Sequence, residues 1–309
     1  IKTENFDIIH SHTPKAGVVA MLAAWFARTP VRMHTVAGLP LMVATGFKKR
    51  ILTIVEKMTY AFATNVYPNS TGLLNYILDE FKPSHHEKFK VLANGSSNGI
   101  DMNFFKPNAT LLSEAIEIRK QLKIPIESKV GIFVGRVVKD KGVEELIRVV
   151  VDIFKRNDHF NLIIVGPYEQ ELDPIAPEII QQIESHPRIH AVGFQLNVRA
   201  YFLASDFLIF PSHREGFPNA VLQSMAMERP AIVSNINGCN EIIMDNFNGL
   251  IFEPRDEFDL KSKIEIMIND NKEFERLKSN TRNDLMNRFS QEVVWQAILD
   301  EYRTLLGYV

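Results

Sequence analysis

Short apolar runs alternate with helically spaced apolar residues along most of the chain, and this alternation predicts the fold class. Unbroken runs such as 207–210 are typical of buried strands, whereas three-to-four spacing, as in 142–156, is typical of helices packed on one face. The predicted strands are 6–9, 31–36, 66–67, 88–92, 130–134, 161–165, 189–192, 207–210, 231–234 and 249–252. The predicted helices are one ending at Ala27, then 51–64, 71–81, 111–122, 142–156, 174–185, 197–203, 218–228, 240–244, 256–269, 271–288 and one after Ser290. Such alternation predicts an α/β protein with parallel sheets and helices on both faces.

A turn-rich segment at 94–99 predicts where one domain ends and the next begins. We therefore expect a first domain at 1–93, a second at 94–288 and a final helical segment at 289–309. Two doubly wound domains place their functional loops at the carboxyl ends of strands, so these loops are expected to face a cleft. Because the chain starts at Ile1 and runs almost directly into a strand, we also expect an upstream segment to be missing.

The stretch 207–230 carries the strongest functional signal. A buried strand leads into the polar turn 212–216, and a helical pattern begins at Pro218. The first turn of such a helix presents unpaired backbone N–H groups that attract anions. Glu215 and Gln223 flank it with hydrogen-bonding groups suited to hydroxyls. The pattern predicts a site for a ligand that is part anion and part sugar, although spacing alone equally fits an ordinary solvated turn.

A second polar segment, 135–142, follows the predicted strand 130–134. Arg136 leaves the strand end, and Lys141 lies near the next helix start, so both cations can reach one diphosphate. Most Arg/Lys pairs are surface cations, but here flanking glycines and the strand-end position favour an anion site.

His10 and His12 form an H-x-H pair beside the first predicted strand. Spacing of two along a strand places both rings on one face, which suits a metal ion, but no third ligand is apparent nearby. We therefore predict no metal site.

Composition narrows the function classes. The chain has 309 residues, 46% of them hydrophobic and 23% charged, which is ordinary for a soluble protein long enough for two domains. A net charge of −2 argues against nucleic-acid binding. The single cysteine, Cys239, rules out an internal disulfide and fits a reducing compartment. No secretory signal or apolar run of membrane-spanning length appears, and no dinucleotide, P-loop or nucleophile-elbow motif is present.

Several motifs together resemble the family-4 retaining glycosyltransferases. EGFPNAVLQSMA resembles the family's Glu-x7-Glu region, with Gln223 in place of the second Glu. The segment 135–142 resembles its Gly-Arg…Lys-Gly motif, HSHTPKAG at 10–17 its histidine motif, and NGSSNGID at 94–101 its PNGVD turn. Gly238 and Glu241 match its Gly-x-x-Glu turn. The resemblance extends over essentially the whole chain.

The resemblance implies a GT-B fold, with two Rossmann-like doubly wound domains facing a cleft and the N-terminal domain lacking its first strands. It places the acceptor in the N-terminal domain and the nucleotide sugar in the C-terminal domain. The final helix is expected to return to the N-terminal domain.

The resemblance also assigns site residues. His12, Arg136, Lys141 and Glu215 are the expected catalytic residues. Gln223 is expected to contact the ribose. The expected donor-binding residues are Gly135, Gly166, Phe194, Gly216, Phe217, Pro218, Asn219, Ala220 and Gln223. No metal or cofactor is expected. For Gly166, Phe194 and the 238–241 turn, a purely structural role fits equally well.

The implied reaction is transfer of a hexose or N-acetylhexosamine from a nucleotide sugar, expected to be UDP-linked, with retention at the anomeric carbon. The expected acceptor is lipid-linked or a saccharide, in capsule or O-antigen assembly at the cytoplasmic face of a bacterial membrane. A nucleotide-sugar epimerase and a non-catalytic nucleotide-sugar-binding protein remain alternatives.

A hydrophobic loop at 39–47, followed by Lys48, Lys49 and Arg50, suits weak contact with an anionic membrane surface. A packed loop before a solvated basic helix start fits the same pattern.

Overall fold

The computed structural model describes residues 1, 3–42, 44–171 and 173–308. It divides into two compact units, Ile1–Gly99 with Arg288–Val309, and Ile100–Asn287. The strands are β1 (Ile8–Ser11), β2 (Val31–Val36), β3 (Asn65–Pro68), β4 (Lys129–Val134), β5 (Phe160–Val165), β6 (Ile189–Gly193), β7 (Phe207–Phe210), β8 (Ala231–Ser234) and β9 (Gly249–Phe252). The helices are α1 (Pro14–Phe26), α2 (Gly46–Phe62), α3 (Thr71–Phe81), α4 (Ala109–Gln121), α5 (Val143–Phe154), α6 (Pro177–Ser185), α7 (Arg199–Ala204), α8 (Asn219–Ala226), α9 (Cys239–Ile242), α10 (Glu257–Asn269), α11 (Asn271–Phe289) and α12 (Gln291–Leu305).

The first unit contains three parallel strands in the order β1-β2-β3. Alternation along β2 sends Met33 to one face and Val36 to the other. The Val36 face packs on α1, α2 and α3, whereas the Met33 face packs on Tyr302 and Leu305 of α12 and on Leu306 directly after it. Both faces of this small sheet are therefore covered by helices, as parallel strands require.

Polar contacts also hold α12 on the first sheet. The Tyr67 hydroxyl donates to Glu301 Oε1 at 2.8 Å, and Lys90 forms an ion pair with the other carboxylate oxygen. His10 Nδ1 lies 2.7 Å from the Tyr302 hydroxyl. Glu301 is buried, so these partners offset the cost of removing its charge from water.

The predicted strand 88–92 is wrong. Phe89 makes only an isolated bridge to Val66, and His86–Lys88 forms a 3₁₀ turn. The Phe89 side chain is buried, but Lys88 donates to the carbonyl oxygen of Tyr60, and Lys90 pairs with Glu301. Side-chain anchors, and not a strand ladder, hold this segment to the first unit.

The loop before α2 also differs from the expectation of a membrane-facing segment. Leu39 and Leu41 are buried in the core of the first unit, where Pro40–Met42 forms a 3₁₀ turn. These leucines therefore cannot face a membrane. Val43, which belongs to the same predicted loop, lies outside the described residues.

The second unit contains six parallel strands in the order β6-β5-β4-β7-β8-β9. Its core is a cluster of buried apolar side chains from the strands and from α5, α6 and α10. The order runs outward from β4 in one direction and from β7 in the other, which makes the β4–β7 junction a topological switch point. Open α/β sheets bind ligands just beyond the carboxyl ends of strands at such a point.

Candidate functional site

Two loops meet at the switch point of the second unit. One runs from the end of β4 at Val134 to the start of α5 at Val143, and the other runs from the end of β7 at Phe210 to the start of α8 at Asn219. Because β4 and β7 pair directly, through Gly131 with Phe207 and Ile132 with Leu208, their loops emerge side by side. Segments 74 residues apart in sequence are thus brought to one edge of the sheet.

Glycines allow the loop backbones to approach closely. Gly142 has φ +67°, and a Cβ built on it would lie 2.0 Å from the carbonyl oxygen of Pro211. At the end of β5, Gly166 has φ +146°, and its Cβ would lie 1.8 Å from the carbonyl oxygen of Gly135. A side chain at either position would force the backbone apart, so both glycines are required by packing of the strand-end loops.

Lys141 and Glu215 form an ion pair across the two loops. Lys141 Nζ donates to Glu215 Oε1 at 2.5 Å, and each side chain is only 14% exposed. The loop after β8 supports this pair, because Asn237 Nδ2 donates to the Glu215 carbonyl oxygen at 2.7 Å. The structure therefore brings together two of the four expected catalytic residues.

Arg136 lies in the same loop as Lys141 but has a different partner. Its Nη1 atom donates to Glu169 Oε2 at 2.9 Å, and its side chain is 45% exposed. An ion pair this exposed contributes about 0–1 kcal/mol. An incoming anion can therefore draw Arg136 away from Glu169 at little cost.

Two further polar pairs hold the loops together. Arg214 Nη2 donates to Asp140 Oδ2 at 2.9 Å, and His213 Nε2 lies 3.0 Å from Glu145 Oε1. The backbone N–H of His213 also donates to the Asp140 carbonyl oxygen at 2.9 Å. Burial acts to raise the pKa of Glu145, but hydrogen bonds from His213 and from the backbone outweigh it and leave the pKa below its ordinary value.

Sequence analysis did not identify these supporting pairs. His213 and Arg214 were visible as part of a polar turn, but no sequence spacing links them to Glu145 and Asp140. Their pairing depends on β4 lying beside β7, which appears only in the folded sheet.

The first turn of α8 lies directly behind Glu215. Pro218 occupies the N-cap position, and no side chain in the described part of the chain caps the helix there. Asn219 is exposed, Ala220 is partly exposed, and Gln223 is partly buried one turn further on. Val221 and Leu222 are buried in the core and hold the helix in place. The direction of its N-terminal turn, with the unpaired N–H groups, is therefore fixed by packing.

The remaining expected donor-binding residues lie along the same edge. Gly135 donates to the Val165 carbonyl oxygen at 2.9 Å, and Gly166 donates to the Gly193 carbonyl oxygen at 2.9 Å. Phe194 follows and is 67% exposed. Gly216 and Phe217 lie in the β7–α8 loop itself. Their contact with a donor stays a prediction.

His12 belongs to the first unit, where it lies immediately after β1. The His10 and His12 rings are 4.1 Å apart, as expected for alternate positions on one face. His10 also lies 2.7 Å from Thr35 Oγ1, and burial, with His12 and His34 nearby, lowers its pKa to about 3. Desolvation lowers the pKa of His12 as well. Both rings are therefore neutral at physiological pH, and each has one donor and one acceptor nitrogen. The two nitrogens of His10 already face the hydroxyls of Tyr302 and Thr35.

Within the described ranges, no three His, Cys, Asp or Glu side chains are grouped so as to hold a metal ion. In the same residues, no helix is both long and apolar enough to cross a bilayer.

An open surface depression of about 740 Å³ lies elsewhere on the second unit. It is lined by residues such as Lys129, Arg156 and His159, at the amino ends of β4 and β5. We place the candidate site at the opposite edge because that edge carries the glycine contacts, the buried ion pair and a helix N-terminus.

The topology of the second unit and the parallel sheet of the first place the chain in the GT-B class of glycosyltransferase folds. The structure superposes on Anabaena Alr3699/HepE, solved in complex with UDP, with a TM-score of 0.84 at 21% identity. That comparison covers 97% of this chain and 79% of HepE. A sucrose-phosphate synthase from Thermosynechococcus elongatus matches with a TM-score of 0.79 at 21% identity, over 98% of this chain and 75% of the synthase.

The sequence comparisons define the family. The chain belongs to the Glycosyl transferases group 1 family, which matches residues 114–284, and residues 1–95 match the Glycosyl transferase 4-like domain. The capsular polysaccharide biosynthesis glycosyltransferase CapM of Staphylococcus aureus is 31% identical, over 97% of this chain and 77% of CapM. An Escherichia coli UDP-Gal:alpha-D-GlcNAc-diphosphoundecaprenol alpha-1,3-galactosyltransferase is 27% identical, over 94% of this chain and 73% of that enzyme. The resemblance drawn from the motifs is confirmed.

Proposed function

We propose that this glycosyltransferase transfers a hexose or N-acetylhexosamine from a UDP-sugar to a lipid-linked or saccharide acceptor, with retention at the anomeric carbon. The observation that carries the proposal is the buried Lys141–Glu215 pair beside the start of α8 at the switch point. The pair offers a cation for a diphosphate and a carboxylate for sugar hydroxyls within one small volume.

The chemistry follows from the charge that develops in the reaction. Breaking the sugar–phosphate bond leaves a nucleoside diphosphate with additional negative charge. Lys141, Arg136 released from Glu169, and the first-turn N–H groups of α8 stabilise that charge more strongly as the bond breaks. These groups suffice for leaving-group stabilisation, so the proposed reaction needs no metal ion.

The other assignments complete the proposal. Glu215 contacts the transferred sugar, Gln223 contacts the ribose, and Phe194 borders the base. His12 is assigned a hydrogen bond to the transferred sugar through its neutral imidazole. The relatives are named for capsular polysaccharide biosynthesis and for transfer to diphospho-undecaprenol-linked sugars, and these names support a role in surface-glycan assembly with a lipid-linked acceptor. We place this role at the cytoplasmic face of a bacterial membrane.

A donor screen tests this function. The purified protein is incubated with UDP-glucose, UDP-galactose and their N-acetyl forms, with and without undecaprenol-diphosphate-linked sugars, and released UDP is measured. We expect release that depends on the acceptor and persists in EDTA, and NMR of the product should show the donor's anomeric configuration. Inverted product would contradict the retaining assignment, and loss of activity in EDTA would contradict the metal-independent one.

The same screen separates the alternatives. A nucleotide-sugar epimerase would change its UDP-sugar without any acceptor. A non-catalytic binding protein would bind UDP and release no sugar under any condition, and the amide at Gln223 in place of a carboxylate is the feature that favours it.

A further inference from the structure

The His10 ring is held by hydroxyl groups from two distant parts of the chain. Its Nδ1 atom lies 2.7 Å from the hydroxyl oxygen of Tyr302 in α12, and its Nε2 atom lies 2.7 Å from Oγ1 of Thr35 in β2. A neutral imidazole has one donor and one acceptor nitrogen, and a hydroxyl can serve as the partner of either. Both nitrogens of His10 are therefore satisfied, and the plane of its ring is fixed.

The His12 ring packs on this fixed ring. The two ring centroids are 4.1 Å apart, with an angle of 33° between the ring planes. His12 is exposed, and in the part of the chain that the structure describes its imidazole has no hydrogen-bond partner and no second ring contact. Packing against His10 is therefore the contact that restricts rotation of the His12 side chain.

The arrangement does not change with protonation at physiological pH. Burial, together with the neighbouring histidines, lowers the pKa of His10 to about 3 and that of His34 to about 4. His34 is buried in β2, where the Ser11 hydroxyl lies 2.8 Å from its Nδ1 atom. Neutral rings keep both hydroxyl contacts of His10 and place no charge against the ring of His12.

Helix α12 does not need the Tyr302 hydroxyl to stay on the first sheet. The adjacent Glu301 accepts a hydrogen bond from the Tyr67 hydroxyl at 2.8 Å and pairs with Lys90. The bond between Tyr302 and His10 joins residues 292 positions apart in the sequence. What this hydroxyl adds to the docked helix is a fixed orientation of the His10 ring.

We propose that Tyr302 and Thr35 position His12 for the transferred sugar, by fixing the His10 ring on which His12 packs. The inference rests on the proposed function, because contact between His12 and the sugar is part of it. Tyr302, Thr35 and His10 act through His12 and are positioning residues. A side chain that is oriented before the substrate binds loses less freedom in the transition state, so the reaction is faster than with a freely rotating imidazole.

Single substitutions that remove one hydroxyl test the positioning. Tyr302→Phe should lower kcat about three- to tenfold and leave UDP affinity unchanged, because His12 must then be ordered in each turnover. Thr35→Val, which keeps the branched shape, should act in the same direction. Tyr67→Phe is the matched control, because it also removes a tyrosine hydroxyl that binds α12 but not one that binds His10. It should leave kcat unchanged.

A double-mutant cycle shows whether the effect passes through His12. In a His12→Ala background, Tyr302→Phe should have no further effect on kcat, because the side chain that it orients is absent. An undiminished effect in that background would overturn the proposal, since Tyr302 would then act on another group or on the fold.

Nuclear magnetic resonance observes the His12 ring without turnover. In protein labelled with 15N-histidine, the His12 ring signals are assigned by their loss in His12→Ala. They should shift in Tyr302→Phe and in Thr35→Val and stay in place in Tyr67→Phe, because only the first two changes release the His10 ring. Unchanged His12 signals in Tyr302→Phe, or an equal shift in Tyr67→Phe, would overturn the proposal.

The two kinds of measurement keep this inference separate from the proposed function. If His12→Ala leaves kcat unchanged, the assignment of His12 to the sugar is wrong, and the resonance signals alone decide whether Tyr302 orients it. If His12→Ala lowers kcat and Tyr302→Phe does not, His12 acts without support from His10 and the inference is wrong.

Discussion

At the scale of single residues, Lys141 carries the largest share of the proposed anion binding. Lys141→Ala should weaken UDP binding about 10- to 100-fold, because a charge-assisted contact of about 1.5–3 kcal/mol is lost. Isothermal titration calorimetry measures the change. Lys139→Ala is the control, since Lys139 is exposed in the same loop two residues earlier. Equal UDP affinity in Lys141→Ala and the wild type would remove Lys141 from the site, and Lys141→Arg should recover part of the affinity.

Gln223 is a second residue whose role can be measured. A carboxylate accepts hydrogen bonds from two ribose hydroxyls, whereas an amide accepts through one oxygen only. Gln223→Glu should therefore leave UDP affinity unchanged or increase it by about 1 kcal/mol, as measured by calorimetry. A large loss of affinity would refute the ribose assignment.

At the residue scale, the sequence pointed to candidate site residues where each one's own loop carried the signal. Glu215 and Lys141 were both identified, and the fold places them in contact at 2.5 Å. The partners Glu169, Asp140 and Glu145 were missed because each contact joins loops distant in the chain. Ion-pair geometry depends on which strands are neighbours, and no local pattern encodes that.

At the scale of elements, two glycines with nearly the same φ allow the cost of a left-handed φ to be measured separately from the cost of a steric clash. Gly142 has φ +67° and Gly193 has φ +69°, but a Cβ at Gly142 would meet the Pro211 carbonyl at 2.0 Å, whereas one at Gly193 has no described atom within 4 Å. Gly193→Ala should lower the free energy of unfolding by about 1 kcal/mol, because alanine adopts the left-handed conformation less readily than glycine.

Gly142→Ala should lower the free energy of unfolding by at least about 2 kcal/mol more than Gly193→Ala does, because the β4–α5 and β7–α8 loops must separate to admit the new side chain. Urea denaturation gives both free energies of unfolding. Equal destabilisation by the two substitutions would show that the close approach of the loops does not contribute.

The β1–β2 region should make the first unit sensitive to acid. Burial, with a contribution from His12, lowers the pKa of His34 to about 4, and the Ser11 hydroxyl lies 2.8 Å from its Nδ1. The unfolded chain takes up a proton near pH 6.5, whereas the folded one does not until about pH 4. The stability due to neutral His34 is therefore full above pH 6.5 and is lost as the pH falls toward 4.

His34→Gln removes a group that binds one more proton in the unfolded chain than in the folded one between pH 6.5 and 4. Over that pH range the free energy of unfolding of the variant should therefore fall by about 3 kcal/mol less than that of the wild type. Chemical denaturation at a series of pH values measures it, with His159→Gln, at an exposed histidine, as the control. An unchanged slope in His34→Gln would contradict the burial argument.

Element prediction was most accurate where a strand is buried on both faces. Strands 31–36, 207–210, 231–234 and 249–252 have the predicted bounds. In 207–210 and 249–252 a short apolar run is followed at once by Pro or a charged residue, whereas 31–36 also contains Arg32, His34 and Thr35. The predicted strand 88–92 fails because Lys88 and Lys90 are anchored individually to neighbours from other parts of the first unit. The segment does alternate apolar and polar residues, but its lysines bind separate partners and its backbone forms no strand ladder.

At the scale of the whole molecule, α12 should govern the stability of the first unit. Glu301→Ala leaves the Tyr67 hydroxyl and the Lys90 ammonium without their partner and should destabilise that unit by about 2 kcal/mol. Hydrogen exchange measured by mass spectrometry should rise in residues 1–99 and remain unchanged in 100–287.

Glu292→Ala, at an exposed position of the same helix, should leave exchange unaltered in both units. An equal rise of exchange in the two units after Glu301→Ala would show that this contact does not act on the first unit alone.

The amino-acid sequence by itself determined the fold class, most of the helices and strands, and the two segments that carry the candidate site. Hydrophobic periodicity and strand-end glycines are local properties, so they can be read along the chain. Only the tertiary structure decided that β4 lies beside β7, that Lys141 meets Glu215, and that α2 turns its isoleucines outward. These features result from which surfaces pack together, because burial and strand order are set by the whole core and not by any one segment.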